Sequence, residues 1–121
     1  QFSVVTMQVS HDLPGLLVQT RVKPKVQYNL TAMDQIQLPH PTAKQGSAVF
    51  CQNTKFAQDY VNEQMLGNLT KCKGSSLEVQ DGVLALYVSG KLTVGEYRQL
   101  KRLANELAKH LASCIPQTDN N

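Results

Sequence analysis

The chain is 121 residues long, the size of one ordinary domain with a single core. Hydrophobic residues make up 41% and charged residues 17%, with a net charge of +3. This is ordinary globular composition, too weakly basic to argue for nucleic acid, and no apolar run approaches the roughly 20 residues that span a bilayer. Area scaling gives about 6,500 Å² of folded surface against about 19,000 Å² unfolded, so a core can form without a metal or a dense disulfide net.

Gln1 leads directly into a strand-like run, with no basic n-region, apolar h-region or cleavage site. This start predicts either a mature chain whose export signal has been removed or an excised piece, with room for a lipid-bearing residue upstream of Gln1.

Residues 2–10, FSVVTMQVS, read as a strand with Val5, Met7 and Val9 on one face. HDLPG (11–15) is a turn, and LLVQTRV (16–22) places Leu16, Val18 and Val22 opposite Gln19 and Arg21. Together they predict an antiparallel hairpin with one solvated side. Pro24 interrupts before Val26, Tyr28 and Leu30 resume the alternation, which puts the break on a sheet edge. Residues 31–46 read as a long irregular loop. Leu38-Pro39-His40-Pro41 is held extended, because a residue before proline is pushed out of the helical region.

A helix is expected over 54–67, capped by Asn53 or Thr54, with Phe56, Ala57, Tyr60, Val61 and Met65 as its apolar stripe and Gly67 at its end. SSLEVQ-DG-VLALYVSG predicts a hairpin turning at Asp81-Gly82, with Gln80 facing Val83, Val79 facing Leu84 and Leu77 facing Leu86. A one-residue slip would bury Glu78. A final helix is expected over 94–113. Thr93 and Glu96 form its capping box, Leu92 staples onto Tyr97, and Tyr97, Leu100, Leu103, Ala104, Leu107 and Leu111 form the stripe. Residues 1–115 then form one domain and 116–121 a polar tail. The order β-β-(β)-α-β-β-α implies an α+β fold, an antiparallel sheet with two amphipathic helices on one face.

Cys51, Cys72 and Cys114 lack C-x-x-C spacing, and His11, His40 and His110 are scattered, so no metal site is expected. Each cysteine flanks an expected helix, which favours one disulfide and a spare thiol in an oxidising, periplasmic or extracellular compartment. Cys51 and Cys72 sit at opposite ends of a helix about 21 Å long, beyond the roughly 7 Å a bridge allows. Cys51–Cys114 is the first choice on chain direction and Cys72–Cys114 the second. Either bridge contributes about 3–4 kcal/mol in the chain-entropy model.

Lys91, Arg98, Lys101, Arg102 and Lys109 put positive charge on the exposed side of the final helix. They read either as a solvated face or as a docking strip for an acidic protein, an anionic sugar or a lipid headgroup, the last implying peripheral membrane association. With no interleaved aromatics, base stacking is not supported. Tyr87 falls on the outer hairpin face beside Val83 and Ala85, as a loop-covered residue or part of an apolar docking patch. His110 and Cys114 lie four apart on one helix, but a helix C-terminus disfavours a thiolate. No catalytic residue, cofactor or nucleic-acid partner is expected.

The stretch YVNEQMLGNLTKCKGSSLEVQDGVLALYVSG has a helix ending near a cysteine, then a two-stranded hairpin, with another cysteine near the chain end. In outline it is similar to small periplasmic pilotins, the lipoprotein chaperones that carry secretin subunits to the outer membrane. The resemblance covers about a quarter of the chain and implies the Cys72–Cys114 pairing. The long helix at 93–113 departs from that group's pattern. SGKLTVGEYRQLKRL separately resembles the turn-and-helix of short C-terminal oligomerisation domains.

The resulting expectation is an exported, non-catalytic protein- or peptide-binding accessory domain, pilotin- or chaperone-like. Its candidate surfaces are an edge near Val22–Leu30, the loop 33–45 with Leu38 and His40, and the basic strip. A secreted inhibitor using loop 38–41 as a wedge, and a small enzyme whose site forms only on folding, are the alternatives.

Overall fold

A computed structural model describes residues 2–20, 34–35, 48–72 and 74–114. The fold is α+β. Among the described residues six strands, β1 (Phe2–Gln8), β2 (Leu16–Gln19), β3 (Asp34–Gln35), β4 (Ala48–Cys51), β5 (Ser76–Gln80) and β6 (Val83–Ser89), form one antiparallel sheet. Their spatial order is β1-β6-β5-β2-β4-β3. The helices are α1 (Thr54–Tyr60), α2 (Glu63–Lys71) and α3 (Val94–Cys114).

The β5–β6 hairpin has the register written in its sequence: Gln80 opposite Val83, Val79 opposite Leu84, Leu77 opposite Leu86. Asp81 (φ 50) and Gly82 (φ 79) are both left-handed, the geometry that matches the twist of the flanking strands. That register sets the inner face of the whole sheet. One row runs Met7–Leu84–Val79–Leu16–Cys51 and a second Val5–Leu86–Leu77–Val18–Val49. Both rows enter the core with Phe56, Tyr60, Met65, Leu66 and Leu69 of the short helices and Leu100, Leu103, Leu107 and Leu111 of α3. The helical layer therefore covers one face, as the segregated patterns predict.

Four local expectations are corrected. β1 and β2 do not form a hairpin: β1 pairs with β6, while β2 lies between β4 and β5. All four residues of β2 are buried, including Leu17 and Gln19 on the outer face, because a central strand is covered on both sides. The expected 54–67 helix is two helices. Val61 leaves the helical region (φ −84, ψ 119), and Asn62 starts α2, its Oδ1 accepting from the Met65 backbone N–H at 2.8 Å. Gly67 ends nothing, and α2 runs on to Lys71. Among the described residues the layer thus holds three helices, where the sequence pattern indicates two.

The fourth correction concerns the disulfide. Cys51, Cys72 and Cys114 are all free thiols, so neither Cys51–Cys114 nor Cys72–Cys114 is bridged. Cys51 does lie just before a helix, two residues ahead of the α1 cap Asn53, but its side chain belongs to the sheet. It ends strand β4, opposite Leu16, with its side chain in the core at 2% exposure. Its Sγ accepts the Asn53 N–H at 3.5 Å, so it packs as a small apolar side chain. The expected strand around Val26–Leu30, most of the 31–46 loop including Leu38 and His40, and the C-terminal tail lie outside the described residues.

The Asp81–Gly82 turn is closed from above by His11, whose ring atoms would lie 2.6–2.9 Å from a Cβ built on Gly82. Gly82→Ala should cost about 2 kcal/mol, from the positive φ and from displacing the imidazole. In a His11→Ala background the loss should fall to about 1 kcal/mol, the φ part alone, as read from urea midpoints. An equal loss in both backgrounds would show that the ring is no obstacle.

Candidate functional site

The site is built on β1. Among the described residues this strand has β6 as its single neighbour, and none of them pairs with its far side, the edge of the described sheet. The backbone parity of that edge follows from two observations. The Val9 N–H donates to the Gly82 carbonyl at 2.9 Å, and β1 pairs with β6 in unbroken register from Phe2–Ser89 to Gln8–Val83. Hydrogen-bonded pairs recur at every second residue of an antiparallel ladder, so Ser3, Val5, Met7 and Val9 bond to β6. Phe2, Val4, Thr6 and Gln8 turn their N–H and C=O groups outward, and all four are exposed. Residues 2–8 carry no charge and no proline, the usual guards of an open edge.

The start of α3 stands beside this edge. The capping box forms as read from the sequence, with Glu96 Oε1 accepting from the Thr93 N–H at 2.9 Å and Thr93 Oγ1 accepting from the Glu96 N–H at 3.1 Å. The helix thereby begins at a fixed residue, and the 3.6-residue period decides what flanks its buried stripe. Val94 and Tyr97 fall on the β1 side. Tyr97, expected in the core, is instead 45% exposed, and Val94 is 68% exposed. With Ser3, Val4, Lys91, Leu92 and Thr93 they line an open groove of about 610 Å³. Ser3 Oγ donates to the Gly90 carbonyl at 2.7 Å, tying the first residues of β1 to the segment that enters α3. On the other face of β1, Phe2 meets Tyr87 edge-to-face at 6.3 Å, extending the apolar surface.

The residues expected to bind a partner are therefore divided. Lys91 lines the edge groove and Tyr87 lies on the outer face near it. Arg98, Lys101 and Lys109 are exposed on α3. Arg102 borders a different opening, a cleft of about 210 Å³ between α2 and α3 that also contains Lys71, Cys72 and Glu106. The groove beside β1 was not read from the sequence. Its signal was Val4, an apolar residue off the core face of the first strand, and Val94, an apolar residue outside the stripe of the last helix.

The strongest chemical constellation elsewhere surrounds Tyr60. Its ring stacks between Phe56 and His110, with centroids at 5.7 and 4.9 Å. Its hydroxyl donates to the Leu107 carbonyl at 3.1 Å, and His110 Nε2 lies 3.2 Å from the Tyr60 carbonyl. Burial, and secondarily the charge of an ionised Cys114, push the Tyr60 phenol far above its ordinary value. Burial also raises the Cys51 and Cys72 thiols. These contacts lock α1 to α3 and leave His110 against an aromatic ring and a backbone oxygen. Among the described residues no group of three His, Cys, Asp or Glu side chains could hold a metal ion. Comparison of the chain with protein-family models, curated proteins and solved structures gives no match.

Two measurements follow. Amide hydrogen exchange along β1 should alternate, slow at Val5 and Met7 and fast at Val4 and Thr6; uniform protection would mean the edge is closed. The Tyr60 phenol stays protonated in the folded chain, while the unfolded chain releases this proton from about pH 10 upward. The native state then binds more protons, so stability should fall by about 1.4 kcal/mol per pH unit above pH 10. Tyr60→Phe should remove that component while costing about 1 kcal/mol near neutrality for the lost hydrogen bond, both read from urea midpoints.

Proposed function

We propose that this domain is a non-catalytic acceptor for an extended segment of a protein or peptide partner, which adds to β1 as a further strand. The reading places it among accessory domains that hold or assemble other chains, as a pilotin- or chaperone-like protein would. One coincidence carries it: the outward backbone groups of Phe2, Val4, Thr6 and Gln8 lie alongside exposed apolar side chains of the α3 entry. The edge supplies main-chain hydrogen bonds, and the groove supplies a place for alternate side chains. Burying a residue such as Val94 or Tyr97 under an added strand contributes about 1.5–3 kcal/mol. Assignment to an exported compartment leaned on a disulfide, and the three free thiols remove that ground, so the proposal concerns the domain irrespective of compartment.

The parity of β1 provides the test. Val4→Pro removes an outward N–H and no ladder bond, whereas Val5→Pro removes a bond to β6 and should cost about 3 kcal/mol or more. The probe is an eight-residue peptide of alternating valine and threonine, titrated by NMR. It should shift the Val4 and Thr6 amides. Val4→Pro should weaken it at least tenfold with the fold intact, and Val4→Thr, which keeps the N–H, should bind as the parent does. Binding that Val4→Pro leaves unchanged would overturn the proposal.

A further inference from the structure

We infer, resting on the strand-acceptor reading, that the edge takes an acidic extended segment: apolar at alternate residues, with Asp or Glu at the end that lies beside Ser3. The electrostatics of the groove carry this. Among the described residues its lining contains one charged side chain, Lys91, and no carboxylate. Lys101 stands one helical turn beyond Tyr97 on the same flank of α3, and Arg98 follows Tyr97 directly; both are exposed. The nearest carboxylate in sequence, Glu96, is directed elsewhere. It accepts the Thr93 N–H and borders the opposite flank of α3 with Lys71 and Cys72. β1 itself is uncharged from Phe2 to Gln8, so among the described residues the charges that flank the groove are the cations of the α3 entry.

The pleat assigns the positions. Residues of the added strand that face inward continue the layer of Ser3, Val5 and Met7 and come under Leu92, Val94 and Tyr97, so they must be apolar. The terminal inward residue beside Ser3 reaches Lys91, and there a carboxylate is favoured. A second copy of this chain is the competing occupant. Its β1 would satisfy the backbone but offers no negative charge to Lys91 or Lys101, so charge complementarity selects a different, acidic chain.

Three versions of the valine–threonine peptide separate the outcomes: uncharged, ending in two glutamates, and ending in two lysines. The acidic version should bind at least tenfold more tightly than the uncharged one, and the basic version more weakly. The advantage should collapse in 0.5 M salt, where exposed charges are screened. It should invert in the Lys91→Glu, Lys101→Glu double variant, with circular dichroism confirming that the fold is kept. Equal affinity for all three would overturn the acidic preference while leaving the strand-acceptor reading standing. Failure of all three to shift the Val4 amide would overturn both. Sedimentation of the free protein supplies the last arm: a monomer is expected, and a dimer that Val4→Pro dissolves would show that a second copy holds the edge.

Discussion

Asp81 and Gly82 fix β5 against β6, and through that register they decide which side chains of five strands face the helices. Side-chain direction alternates strictly along a strand, so a slip of one residue would turn Leu77, Val79, Leu84 and Leu86 outward together. The penalty is collective. Each of these leucines is fully buried, and moving one to solvent forfeits about 1.5–3 kcal/mol. β1 on one side and β2 on the other inherit the same register, which is how a two-residue turn comes to orient the backbone at a distant sheet edge.

The two sides of the sheet order are built differently. Toward β2 and β4 the outer face is closed, with Leu17, Gln19 and Ala48 all buried. Toward β1 it is open, with Phe2, Val4 and Val83 between 40% and 71% exposed. α3 accentuates this contrast, since its capping box starts the helix where Val94 and Tyr97 project past the core. Of the basic residues, Lys91 lines the β1 groove and Arg102 borders the cleft shared with α2, while Arg98, Lys101 and Lys109 are exposed along α3.

Much of the local structure was legible in the sequence because it rests on near neighbours. The DG turn, its register, the Thr93–Glu96 box and the apolar stripe of α3 each involve residues a few positions apart. What escaped was decided by partners far away in the chain. Leu16–Gln19 is a short apolar run that pairs with segments around 50 and 78; nothing within the run states that both of its faces are covered. Ala48–Cys51 escaped for the same reason, and with it the core position of Cys51, which undid the disulfide. The break at Val61–Asn62 depended on whether Asn62 would cap a new helix or ride on an old one. The spacing of β1 to β2 suggests a hairpin, whereas among the described residues β1 pairs with β6 alone; the edge expected near Val22–Leu30 lies outside the described residues.

An edge strand without lysine, proline or bulge is chemically indiscriminate toward extended backbone, because main-chain amides are common to every polypeptide. Selectivity must then come from the surroundings of β1 rather than from β1 itself. Nascent and misfolded chains expose extended segments continually, so any unguarded edge strand is open to unwanted pairing. The seven uncharged residues from Phe2 to Gln8 thus leave discrimination among extended segments to the side chains around them.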